Sequence, residues 1–197
     1  HTHARTTTMP ASSSDISVYV SAALMLSFLA LAVRVDSRFN PLDRPSAYTT
    51  ARTKNWLLLG LLYIAFYTGR YNVSILNTPE VRAIMGASKT EYGLSLSLGH
   101  FTYGIFMLIN GAIADRVGGK KAILMGAVGS ATINSLSAIM FYSRVQTIFS
   151  FTCFNILNMM FQPMGSLCVV KINTNWYTKR ERGVFGGVFG VTIGLGT

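Results

Sequence analysis

The stretch GAIADRVGGKKAIL, residues 111–124, decides how this chain is read. It is a short charged turn set between two apolar runs, about 92–113 and about 121–142. Each run has roughly the ~20 residues that a helix needs to cross a bilayer at about 1.5 Å per residue. So short a turn between two such runs makes a helical hairpin that crosses a bilayer and returns. Working outward, three more runs have the same character: about 56–77, about 147–170, and one that starts near 183. They are too long for strands and lack strict alternation. The fold class expected is an all-α polytopic membrane protein.

Composition agrees. Half of the 197 residues are hydrophobic and 12% are charged, against about 25% charged in a soluble domain. Mean hydropathy is +0.40. The net charge of +10 would suggest nucleic acid in a soluble protein. Here the charges alternate from loop to loop. Arg34, Arg38, Arg44, Arg52, Lys54, Arg116, Lys120, Lys121, Lys171, Lys179, Arg180 and Arg182 fall on one side, and only Arg82, Lys89 and Arg144 on the other. The positive-inside rule assigns loops 36–54, 114–121 and 171–182 to the cytoplasm. The partner expected is the lipid bilayer and not nucleic acid. Cys153 and Cys168 share one apolar run and are expected buried and unpaired.

The segments follow from the same pattern. Residues 1–15 are polar, and 1–8, which precede the first methionine, Met9, are read as tag or untranslated sequence. Residues 16–35 are apolar, and positive charge follows this run at Arg34 and Arg38 instead of preceding it. An extra anchor helix is therefore favoured over a cleaved targeting segment. Residues 36–54 form a polar, Pro-containing linker. Residues 55–197 hold five spans, the last running off the end.

Within the first of these spans lies FYTGRYN, residues 66–72. A charge inside a span costs about 3 kcal/mol or more, so Arg70 demands a reason. Tyr63, Tyr67, Arg70 and Ser74 are spaced i, i+4, i+7, i+11, which puts two phenols, a guanidinium and a hydroxyl on one helix face. A guanidinium is a planar fork of donors that fits phosphate oxygens and stays charged when partly desolvated. Arg70 sits about seven residues, roughly 10 Å, from the end of its span, too deep for easy snorkelling. Asn155, Asn158 and Gln162, at i, i+3, i+7 in the fourth span, either line a cavity or hydrogen-bond a neighbouring helix. His100 shares a face with Tyr103 and is read as a packing residue. Lys171 is read as a topology charge. Gly186, Gly190 and Gly194 are spaced for close helix approach.

Gly111, Asp115, Arg116, Gly118, Lys120 and Lys121 follow G-x-x-x-D-R-x-G-x-K-K, which resembles the signature of the major facilitator superfamily, in the same loop. The resemblance implies that Gly111 lets two helices pack closely. It also implies that Asp115 caps a helix or pairs with a cation across helix ends, in a contact that breaks when the protein switches state. FQPMGSLCVVKINTNWYTKRERG, 161–183, is similar to the segment between the fourth and fifth helices of the organophosphate:phosphate antiporters, at Phe161, Gln162, Met164, Gly165, Trp176, Glu181, Arg182 and Gly183. YIAFYTGRYN, 63–72, matches that family at Tyr63, Ala65, Tyr67, Arg70 and Asn72.

The resemblance covers 56–197 and implies the N-terminal half of a transporter of two six-helix halves, monomeric when complete. The transporter would exchange a sugar-phosphate or glycerol-phosphate type of metabolite for inorganic phosphate by alternating access. Arg70 would be the phosphate ligand, with Tyr63, Tyr67, Ser74, Asn158 and Gln162 lining the site. The sequence departs from the glycerol-phosphate pattern where Ile193 replaces a histidine, Met107 a lysine and Lys171 an arginine. None of the acidic residues Asp15, Asp36, Asp43, Glu80, Glu91, Asp115 and Glu181 falls in mid-span, which leans toward anion exchange over proton coupling. An ion-coupled organic-anion or sugar facilitator, and a transporter-like ligand sensor, are the alternatives. No nucleophile–base pair, metal spacing or phosphate loop marks an enzyme, and no cofactor is expected.

Overall fold

The computed structural model describes residues 43–179 without a break, together with 23, 27, 30, 31, 34, 181–183, 186 and 190. Most of the 16–35 run, and of the span starting near 183, therefore lies outside the described residues. Every regular element among the described residues is a helix: α1 Ser46–Ile75, α2 Pro79–Ile84, α3 Lys89–Val117, α4 Gly119–Tyr142, α5 Ile148–Phe161 and α6 Pro163–Thr174.

Three helical stretches are long and apolar enough to cross a membrane: Lys89–Val117, Gly119–Tyr142 and Ile148–Thr174. The third is α5 and α6 in sequence, joined through Gln162, which keeps right-handed helical dihedrals. Pro163 lacks the N–H that would continue the ladder. Beside this break the amide of Asn110, from α3, donates to the Met160 carbonyl at 2.8 Å. α1 has 30 residues, about 45 Å, and is less apolar because Thr68, Arg70, Asn72 and Ser74 interrupt its run. It begins at Ser46, well before the expected edge of the span. The bilayer limits the length of the apolar run, not of the helix, so three turns drawn from the expected linker extend beyond it.

Local chemistry sets the helix ends. Ser88 and Glu91 form a capping box at the start of α3, with the Ser88 amide donating to Glu91 Oε2 at 2.8 Å. Thr147 and Ser150 do the same for α5. Thr78 caps the short α2, with Pro79 in its first turn. Gly118 alone separates α3 from α4, at φ 88°. Only glycine takes that conformation without strain.

The bundle has two apolar layers. Trp56, Leu59, Tyr63, Phe66, Ala114, Ala122, Ile123, Cys168 and Val169 form one, and Val73, Met85, Tyr92 and Phe151 the other. Between them along α1 lies Arg70, along α5 lie Asn155 and Asn158, and at the junction of α5 with α6 lies Gln162. Leu58, Phe101, Leu108, Val128, Phe149 and Val170 point outward. Such a surface suits hydrocarbon and not water. Cys168 is buried as expected, but Cys153 is exposed. His100 is exposed too, with its ring nitrogen 2.9 Å from the Leu96 carbonyl, so it does not pack inside the bundle.

Close helix approach occurs elsewhere than at Gly111. A Cβ added at Gly111 would meet nothing within 4 Å among the described residues, so the close approach expected there is made to none of the described helices. Among the described residues nothing lies within 4 Å of a Cβ added at Gly186 or Gly190, and Gly194 lies outside the described residues. The tight places include Gly99, Gly126, Gly129 and Gly165. A Cβ at Gly126 would come within 2.7 Å of Met164 Cβ and 3.1 Å of the Phe161 carbonyl oxygen. Neither atom swings aside easily, and overpacking costs about 1–3 kcal/mol. Gly126→Ala should therefore lower the thermal unfolding midpoint in detergent, while Gly111→Ala leaves it unchanged. Equal midpoints would show that α4 and α6 are less closely packed than described.

Candidate functional site

Arg70 projects from α1 into the polar layer and is half-buried. Its Nη2 donates to Gln162 Oε1 at 3.4 Å and to Tyr103 Oη at 3.5 Å. The guanidinium carbon lies 4.5 Å from the centre of the Tyr103 ring and 5.1 Å from that of Tyr67. Two aromatic faces thus hold the cation without neutralising it. Among the described residues no carboxylate pairs with Arg70; the ion pairs are those of Arg44, Arg52 and Lys171. Nε is buried without a partner.

The other expected ligands fall into three positions. Tyr67 touches Arg70, and Tyr63 packs edge-on against Tyr67, with ring centres 5.0 Å apart, inside the first apolar layer. Ser74 is exposed one turn further along α1 and makes no side-chain hydrogen bond to this group. Gln162 and Asn158 are buried and engaged with protein: Gln162 Nε2 donates to Ser130 Oγ at 3.0 Å, and Asn158 Nδ2 to the Gly69 carbonyl at 3.2 Å. Asn155 bonds the Ser95 carbonyl at 2.9 Å, tying α5 to α3. Tyr103, Ser130 and Asn134 complete the layer and were not singled out as site residues. The i, i+4 pair Ser130 and Asn134 in an otherwise apolar run was the available signal. A groove of about 390 Å³ opens between α1 and α4, lined in part by Phe66, Gly69, Ser130 and Asn134.

The charged end of the bundle is tied at two points. Lys171 Nζ lies 2.6 Å from Asp115 Oδ1 and donates to the Ala114 carbonyl at 2.7 Å. Lys171 is thus more than a topology charge, and Asp115 has its cation across the helix ends. Gly118 turns the chain there; Arg116, Lys120 and Lys121 are exposed. The second tie joins the extension of α1 to the loop after α6. Arg52 Nη1 meets Glu181 Oε1 at 2.8 Å with both side chains fully buried, and Arg44 approaches Glu181 at 3.8 Å. Tyr48 donates to the Trp176 carbonyl at 2.9 Å and its ring packs on that indole. Arg182 donates to the Tyr177 and Thr174 carbonyls, and Gly183 is exposed. Burial pushes the Glu181 carboxyl up. The Thr178 hydroxyl and amide, then Arg44 and Arg52, outweigh this and hold it below the ordinary carboxylate value.

Comparison with known proteins places this geometry in a family. The model for the Major Facilitator Superfamily matches residues 59–197. The membrane sensor protein UhpC of Escherichia coli (strain K12) is 25% identical over 174 residues, 87% of this chain and 38% of that protein. The putative glycerol-3-phosphate transporter 2 of Arabidopsis thaliana is 25% identical over 155 residues, 72% of this chain and 30% of that protein. A probable hexose phosphate transport protein of Chlamydia trachomatis is 28% identical over 149 residues, 76% and 31% respectively. The chain thus spans about a third of the length of these relatives. No solved structure matches it. The matched region takes in the Asp115 turn, the Arg70 layer and the loop after α6, and the chain belongs to the Major Facilitator Superfamily.

Proposed function

We propose that the complete protein is a transporter, not an enzyme, that exchanges a phosphorylated metabolite for inorganic phosphate by alternating access. The observation that carries this reading is Arg70: a cation within a membrane-spanning bundle, set between two tyrosine rings, with no carboxylate against it among the described residues. A phosphate group supplies the missing counter-charge, and a guanidinium fits its oxygens in a planar fork. The similar proteins named for glycerol-3-phosphate and hexose phosphate support the same ligand class. In this reading loops 36–54, 114–121 and 171–182 face the cytoplasm. The site sits at the midplane, where such transporters bind between halves. The empty carrier reorients slowly because the Arg70 charge is then uncompensated, and this makes exchange obligatory.

The test is uptake of labelled phosphate into liposomes that hold the complete polypeptide and are either preloaded with phosphate or empty. Uptake confined to preloaded vesicles is the expected result. Equal uptake into both would replace exchange by ion-coupled or facilitated movement. A second reading is favoured by the similarity to a protein named as a membrane sensor: the protein binds its ligand and signals without moving it. Phosphate binding with no uptake in either vesicle would establish that reading instead.

A further inference from the structure

The buried amides around Arg70 form a hydrogen-bond circuit whose direction is fixed at both ends. Asn158 Nδ2 donates to the Gly69 carbonyl at 3.2 Å, and a carbonyl only accepts. Asn158 must therefore turn its Oδ1 toward Ser130, whose hydroxyl donates to it at 2.6 Å. With its one proton committed, Ser130 Oγ can only accept, and it takes the Gln162 amide at 3.0 Å. That leaves Gln162 Oε1 facing the Arg70 guanidinium, a group that only donates. Read from Arg70 inward, the same sense results. Asn134 reinforces it, donating to the Ser130 carbonyl at 2.9 Å and to Asn158 Oδ1 at 3.2 Å. The circuit leaves α1 at Arg70, passes through α6's entry residue, α4 and α5, and returns to α1 at Gly69. A side chain at residue 69 would crowd it, because a Cβ there would lie 3.3 Å from Asn134 Nδ2 and 3.5 Å from Gln162 Nε2.

From this geometry we infer that Ser130, through Gln162, is the positioning residue that aims Arg70 at its anion. Gln162 and Asn158 then act on the guanidinium and not on the ligand. Gln162 Oε1 and Tyr103 Oη hold Nη2, and among the described residues Nη1 has no hydrogen-bond partner, so Nη1 remains for a phosphate oxygen. Removing the Ser130 hydroxyl takes away the nearer acceptor of the Gln162 amide and leaves it only the longer 3.4 Å bond to Asn158 Oδ1. Gln162 is then held less firmly, and the guanidinium that it positions loses its fixed aim. This inference rests on the reading of Arg70 as a phosphate ligand.

The experiment measures KM and maximal rate of phosphate exchange in liposomes carrying the complete polypeptide, with Ser130→Ala, Ser130→Cys and Ser130→Thr alongside Arg70→Lys. The Ala variant should raise KM about ten-fold, the scale of one hydrogen bond, with the maximal rate little changed. The Cys variant, a weak hydrogen-bonding group of similar size, should fall between, and Thr, which restores the hydroxyl, should return KM to the wild-type value. Thr has room for its methyl because Ser130 borders the groove between α1 and α4. A packing role predicts a different order, with Ala and Cys tolerated and the bulkier Thr worst. Equal KM across the Ser130 series, with exchange collapsed in Arg70→Lys, would overturn the positioning role alone. Unchanged exchange in Arg70→Lys would overturn the phosphate reading beneath it.

Discussion

Arg70→Lys should lower phosphate exchange by about 100-fold or more, although the charge is kept. That loss is the scale of one or two charge-assisted hydrogen bonds at about 1.5–3 kcal/mol each. A lysine ammonium is a compact point charge and offers no planar fork. It stacks poorly between Tyr67 and Tyr103, whose rings flank the guanidinium, and its single nitrogen cannot bond Gln162 while a separate nitrogen faces the anion. Long-range attraction for the substrate survives, so the loss falls on bound geometry. The same variant should keep its thermal unfolding midpoint, since Arg70 is only half-buried and its hydrogen bonds are long at 3.4 and 3.5 Å. Exchange within a factor of two of wild type would remove Arg70 from the phosphate site.

Glu181→Ala should cost more stability than any other single change discussed. It takes the carboxylate from Arg52, whose side chain is fully buried, and breaking a buried pair by removing one partner costs about 3–5 kcal/mol. The yield of folded protein and the unfolding midpoint in detergent should both fall. The paired replacement Arg52→Met with Glu181→Leu should recover much of the loss, because two apolar side chains leave no buried charge behind. A double variant as unstable as the single one would mean that the ion pair itself holds the α1 extension in place. The pH dependence has a definite sign. The folded Glu181 carboxyl lies below its ordinary value, so its contribution is fully present above the unfolded value of about 4.3. It is lost as pH falls through the lowered folded value. Between pH 5 and 8 this pair should leave the midpoint flat.

Much of the fold was legible because a bilayer writes its thickness into the chain as apolar run length. The runs at 92–113, 121–142 and 147–170 correspond to α3, α4 and α5 with α6. Where helices leave the bilayer that signal stops, so the extension of α1 from Ser46 was taken for linker. Arg70 was legible as a charge with no business in hydrocarbon, and the resemblance supplied its ligand class. Its surroundings were less so. Tyr103 reaches it from 33 positions away and Gln162 from 92, distances at which helical spacing says nothing. The Arg52–Glu181 pair, 129 positions apart, was hidden for another reason: among so many loop cations, one with a specific partner looks like a topology charge. Gly111 matched a signature, whereas glycines that touch a neighbouring helix, such as Gly99, Gly126, Gly129 and Gly165, are distinguished only by what packs against them.

Equilibrium binding would show whether Arg70 is the phosphate ligand, free of any question about turnover. Labelled inorganic phosphate would be bound to the purified complete protein in detergent, with glycerol 3-phosphate or a hexose phosphate as competitor, in wild type and Arg70→Lys. The account predicts saturable binding that a phosphorylated competitor displaces, and its loss in the lysine variant while that variant remains folded. Phosphate bound as tightly by Arg70→Lys as by wild type would contradict it.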